Sequence, residues 1–434
     1  MSYNKVKTII NELKLSFFRI NTGAMAAQIW LFLFVTTCHA GDCYWTSINV
    51  NYFTQGDAHL IGDRETGRSI LVDTGPANYA ENILLPYLHA HNIRQLDAVF
   101  ISHIHTDHIG GMAALLRSEI LVKEIFVDIP PLELIQAEWW GVSIAELLEI
   151  AELAIQRHVK ISAHAAWQNY EILNGFYLKK IHAFNAGELA ACGLGVNINN
   201  LSVVCKLVCG EKSVLFAGDI DRDVGAYLAE RYDAELRCNI LKVPHHGAES
   251  VADDSFFYSA SPEVAIVPAP LLLWESARCR GVRCLLNAMQ SHVLVNGEHG
   301  HITVDFASSD GAYVVRQESV PPALKIDPNT NESHINISVK PNSYLMCPAD
   351  WWIFAHTQTG WYCLDVMKKW NFVVDAAKIS PAYQGELIPL NDCCILEMPS
   401  GYNRQDICLY FCVDKPDGLL NNSNDKFFCA AMEF

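Results

Sequence analysis

The run His103-Ile104-His105-Thr106-Asp107-His108 places three imidazoles and a carboxylate within six residues. Such crowding is costly in desolvation and mutual repulsion unless a positive charge sits among the groups. A divalent cation supplies that charge. Neutral imidazole and carboxylate are good donors to zinc, and also to manganese or iron. His103 and His105 can reach one ion. Asp107 and His108 can reach a second, about 3.5–4 Å away, the usual separation in two-metal sites.

Two further segments end in donor residues. Phe216-Ala217-Gly218-Asp219 closes an apolar run with an acid. A Gly-Asp turn is commonplace, but beside two cations Asp219 is the natural bridging carboxylate. Lys242-Val243-Pro244-His245-His246-Gly247 ends another run in a histidine pair. One of the pair can complete the ligands of the second cation, and the other can orient a ligand or carry a proton. Asp73, in Leu71-Val72-Asp73-Thr74-Gly75, and Asp57, in Gln55-Gly56-Asp57, can hold ligands from behind or simply form turns.

These side chains need elements to carry them. Residues 96–102 form a short apolar run that enters the histidine loop, and Gly110-Gly111 opens a helix to about Arg117. Residues 58–61 and 69–72 read as a hairpin, and 44–53 and 120–128 as strands. Residues 80–91 read as a helix, and 132–159 as a long helical stretch interrupted near Gly141. Residues 165–199 carry no clear period. Further strands are expected at 201–208, 213–217, 239–243, 264–268 and 292–296, with helices at 221–231 and 277–289. The order predicts a layered α/β protein.

A chain of 434 residues with 51% apolar and 18% charged residues can bury large cores and is too long for one average domain. The formal charge of −17, without a basic run, disfavours a nucleic-acid partner without excluding one. Fifteen cysteines show no zinc-ribbon spacing, so they are either disulfides of an oxidising compartment or buried thiols. Lys5, Lys7, Lys14 and Arg19 precede an apolar run at 29–35 and a small-residue site ending at Ala40. This predicts a signal segment over 1–40 and a periplasmic or secreted protein, with the cytoplasm as the alternative. The apolar run is too short for a stable membrane span. The expected division is a hydrolase domain over 41–318, a linker over 319–334 around Val320-Pro321-Pro322, and a small cysteine- and aromatic-rich β domain over 335–434.

Taken in order, these motifs resemble the metallo-β-lactamase superfamily, and more narrowly the hydrolase domain of ComEC-type competence proteins and their stand-alone relatives. The matching pieces include Gln55-Gly56-Asp57-Ala58, Leu71–Gly75, Ser102–Gly111, Asn199-Asn200-Leu201-Ser202-Val203, Phe216–Ile220 and Leu241–Gly247, from about residue 45 to about 316. The resemblance implies an αββα sandwich with two metal ions at one edge of two facing sheets. It implies His103 and His105 on the first ion, Asp107, His108 and His245 on the second, and Asp219 between them. His246 is then left as a catalytic proton carrier beside Asp107. The family's third histidine on the first metal has no evident counterpart; His158, His164 and His182 fall in the right interval. An Asn-x-x-Gly-His-Pro element is also missing, and His299 and His301 could replace it.

The expected chemistry is hydrolysis by metal-activated water, with zinc as the cofactor and manganese or iron as alternatives. The substrate is a phosphodiester or a small ester, lactone or lactam. The competing reading is a non-catalytic binding module on the same fold.

Overall fold

The computed structural model describes residues 42–51, 54–138, 141–306, 312–318, 323–328, 334–340, 348–357, 360–364, 370–373, 380–386, 390–397, 408–414 and 428–433. The proposed signal segment lies outside the described residues.

Along the chain come β1 (Cys43–Ser47), β2 (Ala58–Asp63), β3 (Ser69–Thr74), β4 (Ala98–Phe100), β5 (Glu124–Phe126) and β6 (Lys160–Ser162). Then follow β7 (Asn169–Leu173), β8 (Phe176–Ala183), β9 (Val203–Cys209), β10 (Lys212–Phe216), β11 (Ile240–Lys242), β12 (Val264–Val267) and β13 (His292–Val295). β14 (His301–Phe306) and β15 (Tyr313–Glu318) return to the first group. One sheet has the order β15-β14-β1-β2-β3-β4-β5-β6, and the other β13-β12-β11-β10-β9-β8-β7.

Three apolar layers hold these sheets. Ile61, Ile70, Val72 and Phe100 of the first sheet meet Leu207, Val214, Phe216 and Ile266 of the second in one buried cluster. The alternate residues Leu60, Leu71 and Val99 point the other way, onto Leu115, Leu116 and Ile150 of the helices Met112–Arg117 and Ile144–Gln156. Val204, Leu215 and Leu241 do the same against the helices Arg222–Leu236, Asp254–Ala260 and Arg280–Ala288. Strands covered on both faces must be apolar on both faces, which is why they read as continuous apolar runs. The result is the expected αββα sandwich, followed by a β-rich C-terminal region.

The segment 165–199 resolves into β7, β8 and the helix Ala186–Ala191. A register shift between Lys180 and His182 interrupts the period of two in β8, which hid the strand. Strand Ala323–Pro328 occupies part of the stretch expected to be a linker, paired with His334–Lys340. Further strands, including Pro348–Thr357 and Cys408–Asp414, pair antiparallel beyond it. No helix among the described residues is long and apolar enough to cross a membrane.

Candidate metal centre

The histidine loop leaves the C-terminal end of β4, whose parallel neighbour β3 ends at Asp73–Thr74. Val72 pairs with Phe100, so Asp73 arrives beside the loop. Its carboxylate accepts the Ser102 N–H and hydroxyl, each at 2.7 Å, and lies 2.9 Å from His108 Nδ1. That contact assigns the Nδ1 proton of His108 and leaves Nε2 for a metal. His108 is fully buried, and its Nε2 makes no hydrogen bond. It faces Asp219 Oδ2 at 3.2 Å.

His246 is built in the same way. Its Nδ1 lies 2.8 Å from the Pro268 carbonyl, while Nε2 lies 3.2 Å from Asp219 Oδ2 and 3.3 Å from Asp107 Oδ2. This Nε2 is also buried without a hydrogen bond. Asp107, His108, Asp219 and His246 thus each present one donor atom, all within 4.8 Å of one another. Two unsatisfied imidazole nitrogens facing two carboxylates are a donor set that fits a divalent cation.

The other pair converges alongside. His103 Nε2 lies 3.2 Å from His105 Nδ1, and the His103 and His108 ring centroids are 4.1 Å apart. His103 Nδ1 is held between Ser102 Oγ at 3.1 Å and Ser202 Oγ at 3.2 Å. His105 Nε2 contacts Glu138 Oε2 at 2.9 Å. Both imidazoles therefore turn their remaining nitrogens toward each other.

The expectation put His245 on the second metal and gave His246 the proton. The structure instead brings His246 into the donor cluster and sets His245 on the wall of the adjoining cleft. The turn decides this. His245 and His246 both have positive φ, 47° and 54°, which is disfavoured for residues with a Cβ. The bend swings one imidazole beneath the cleft and the other to its side. The His245 N–H donates to Gly218 O at 3.1 Å, tying this turn to the one before Asp219. Gly218 is itself at φ +51°, and a Cβ there would meet Ser202 Oγ at 2.4 Å, so glycine is required.

None of the candidate replacement histidines joins the cluster. His164 Nε2 donates to Ile101 O at 2.8 Å, and Nδ1 accepts from Trp167 at 3.2 Å. His182 lies between Tyr232 at 2.9 Å and Glu188 at 3.0 Å. His158 is exposed at a helix end. His301 accepts the Asn49 N–H, and His299 folds back on Val295.

Two charged residues that sequence reasoning left without a role complete the site. Glu138 orients His105, and nothing in its local sequence marks it. Lys242, 1% exposed, forms an ion pair with Asp57 Oδ2 and lies 3.1 Å from Gly218 O and 3.5 Å from Asp219 Oδ1. Asp219 therefore turns one oxygen to the lysine and the other to the imidazoles.

Electrostatics without cations follow from this geometry. Burial opposes charge on His246, but Asp219 and Asp107 outweigh it and raise its pKa to about 9. Burial likewise opposes charge on His108, and Asp219, Asp73, Asp107 and Asp57 hold it well above the usual range. His103 and His245 are pushed down by burial and stay neutral. Protons thus occupy the donor cluster where cations would compete for the same nitrogens. Raised pKa values mean that protons must leave as metal enters, so apparent metal affinity should climb with pH up to about 9, roughly tenfold per unit for each proton released. Titration calorimetry in buffers of different ionisation enthalpy measures that proton release; a pH-independent affinity between 6 and 8.5 would contradict it. Asp73→Asn, which keeps the shape but loses the carboxylate behind His108, should weaken metal binding about 10–100-fold while the fold persists. Equilibrium dialysis against a competing chelator reads the change.

Above the donors opens a cleft of about 550 Å³, floored by Asp107 and Asp219 and walled by Gln55, Asn78, Asn199 and His245. Its size suits a small-molecule group.

Two facing sheets with clustered His and Asp at one edge define a metallo-β-lactamase fold, and the chain belongs to the metallo-beta-lactamase superfamily, whose family pattern matches residues 51–269. Among curated proteins it is similar to ComE operon protein 3 of Bacillus subtilis (strain 168), 25% identical over 274 residues. It is also similar to competence protein ComA of Neisseria gonorrhoeae, 27% identical over 212 residues. These alignments take in 57% and 49% of this chain but only 31% and 25% of those relatives, so the chain spans about a third or less of their length. Among solved structures, Zn(2+)-bound PqqB from Methylobacterium extorquens aligns with a TM-score of 0.34 at 12% identity, over 58% of this chain and 86% of that one.

Proposed function

We propose that the chain is a metal-dependent hydrolase that directs water at an ester or phosphodiester bond. The observation that carries this reading is the convergence of Asp107, His108, Asp219 and His246 at the floor of an open cleft. His103, His105 and Asp219 would hold one divalent cation, and Asp107, His108, His246 and Asp219 the other. Bound divalent cations supply a water nucleophile at neutral pH, by lowering its pKa from 15.7 to about 7, and a positive field at the scissile oxygen. Zinc suits the nitrogen-rich donors, with manganese or iron as alternatives.

The protein's own groups divide the remaining work. Asp107, 21% exposed where its three cluster partners are buried, reaches the cleft and takes a proton from the attacking water. His246 rests Nδ1 on the Pro268 carbonyl and would give Nε2 to a cation, so the proton role expected of it passes to His245. That imidazole lines the cleft with Asp107 and is kept neutral by burial, so it would carry the water proton from Asp107 on to the leaving oxygen. The described wall of the cleft carries neither Lys nor Arg. Attraction for a substrate oxygen would then come from bound cations rather than from a basic wall, which favours small esters and phosphodiesters over a long nucleic-acid strand.

The test is a panel of bis-p-nitrophenyl phosphate, single-stranded DNA, nitrocefin and acyl-lactones with the metal-loaded chain. At least one should be cleaved, with chelator sensitivity and a loss of about 100-fold or more on Asp107→Ala. If the loaded chain turns over none of them, the reading as a non-catalytic binding module takes its place.

A further inference from the structure

We propose that the side-chain carbonyl of Asn199 is the third protein donor private to the first cation site, in the place of the missing histidine. The inference rests on the two-cation reading above. The turn Asn199–Leu201 lies just before β9 and is anchored at both ends to the first-site histidines. On one side, the Ile198 N–H donates to Glu138 Oε1 at 2.9 Å, and the other oxygen of that carboxylate holds His105. On the other side, Ser202 Oγ lies 3.2 Å from His103 Nδ1 and accepts the Asp219 N–H at 3.0 Å.

Between those anchors stand two asparagines with different fates. Asn200 is accounted for: its amide donates to Gly195 O at 2.8 Å and Asp221 Oδ2 at 2.7 Å, and its oxygen accepts the Asp221 N–H at 3.0 Å. Asn199 lines the cleft with His105, Asp107 and Asp219. Its Oδ1 is buried and has no hydrogen-bond partner. A buried amide oxygen without a partner carries a desolvation penalty that a cation removes. His103, His105, Asn199 and Asp219 then make a set of four donors around the first ion.

The chemistry of the donor sets a consequence. An amide oxygen is neutral and harder than imidazole, so it binds zinc less firmly and tolerates manganese or magnesium. The site of Asp107, His108, Asp219 and His246 fills first and tightly. The site of His103, His105 and Asn199 fills second and exchanges its ion.

The experiment is titration of the chelator-stripped full chain with Zn²⁺ and with Mn²⁺ by calorimetry, with bound metal counted by mass spectrometry after gel filtration. The wild-type chain should show two classes of site. Asn199→Ala should weaken the weaker class more than tenfold and leave the tighter class unmoved. Asn199→His should tighten the weaker class for Zn²⁺ about tenfold or more, and it remains decisive if the alanine variant does not fold. Unchanged affinities of both classes in either folded variant overturn the assignment of Asn199. A wild-type chain that binds neither metal overturns the two-cation reading itself, and the assignment with it.

Discussion

Asp219→Asn is expected to reduce hydrolysis below about 1% and to lower bound divalent metal from two ions per chain to at most one. The carboxylate is unusual in its position: Oδ2 lies 3.2 Å from both His108 Nε2 and His246 Nε2, while Oδ1 faces Lys242. One negative charge would thus serve both of the proposed cations. The amide keeps the shape and removes the charge, so the loss reports electrostatics rather than packing. Removing a group behind a metal ligand typically costs 10–100-fold, and a bridging donor should exceed that. Metal counting by mass spectrometry, alongside turnover of the best substrate in the panel, checks both halves. Retention of both classes of metal site at wild-type affinity in a folded Asp219→Asn chain would remove the bridge from the description.

Lys242→Met is expected to destabilise the metal-stripped chain by about 3–5 kcal/mol, the range for removing one partner of a buried charge pair. Lys242 and Asp57 are each 1% exposed, so neither charge has water to fall back on. Burial opposes charge on the lysine, but Asp57 and Asp219 outweigh it and raise its pKa. Asp57, pulled down mainly by Lys242 and then His108, stays ionised against its own burial. Without the ammonium, Asp57 and Asp219 are left as buried carboxylates with only the imidazoles for compensation. Added metal should restore part of the stability, because cations reach Asp219 from its other oxygen and bind only the folded state. Urea denaturation with and without zinc measures both effects. A loss under 1 kcal/mol in the stripped chain would show that Lys242 is not the counter-charge the geometry makes it.

Local chemistry made much of this protein readable from its residues. The three imidazoles and carboxylate of the 103–108 loop lie within six residues, so their proximity is set by the chain itself. Strands buried on both faces declare themselves as apolar runs, and their order with the helices defines the αββα layers. Asp73 and Asp219 were legible because each ends an apolar run, Asp73 in the sheet that carries the loop and Asp219 in the facing one.

Tertiary structure decided what depends on direction and on distant encounters. His245 and His246 are chemically identical neighbours, and only the two positive-φ residues of their turn select which imidazole enters the donor cluster. Glu138 meets His105 from 33 residues away, and Lys242 meets Asp219 across 23. Nothing local distinguishes such residues from surface charges until packing buries them. The first cation's shell was the gap in the linear reading, since no histidine fell where one was needed. Folding puts Asn199 on the cleft wall with His105, between Glu138 behind Ile198 and Ser202 behind His103, where it is proposed to fill that gap. A side chain's type is a property of the sequence, but whether its polar atom finds a partner is a property of the assembled fold.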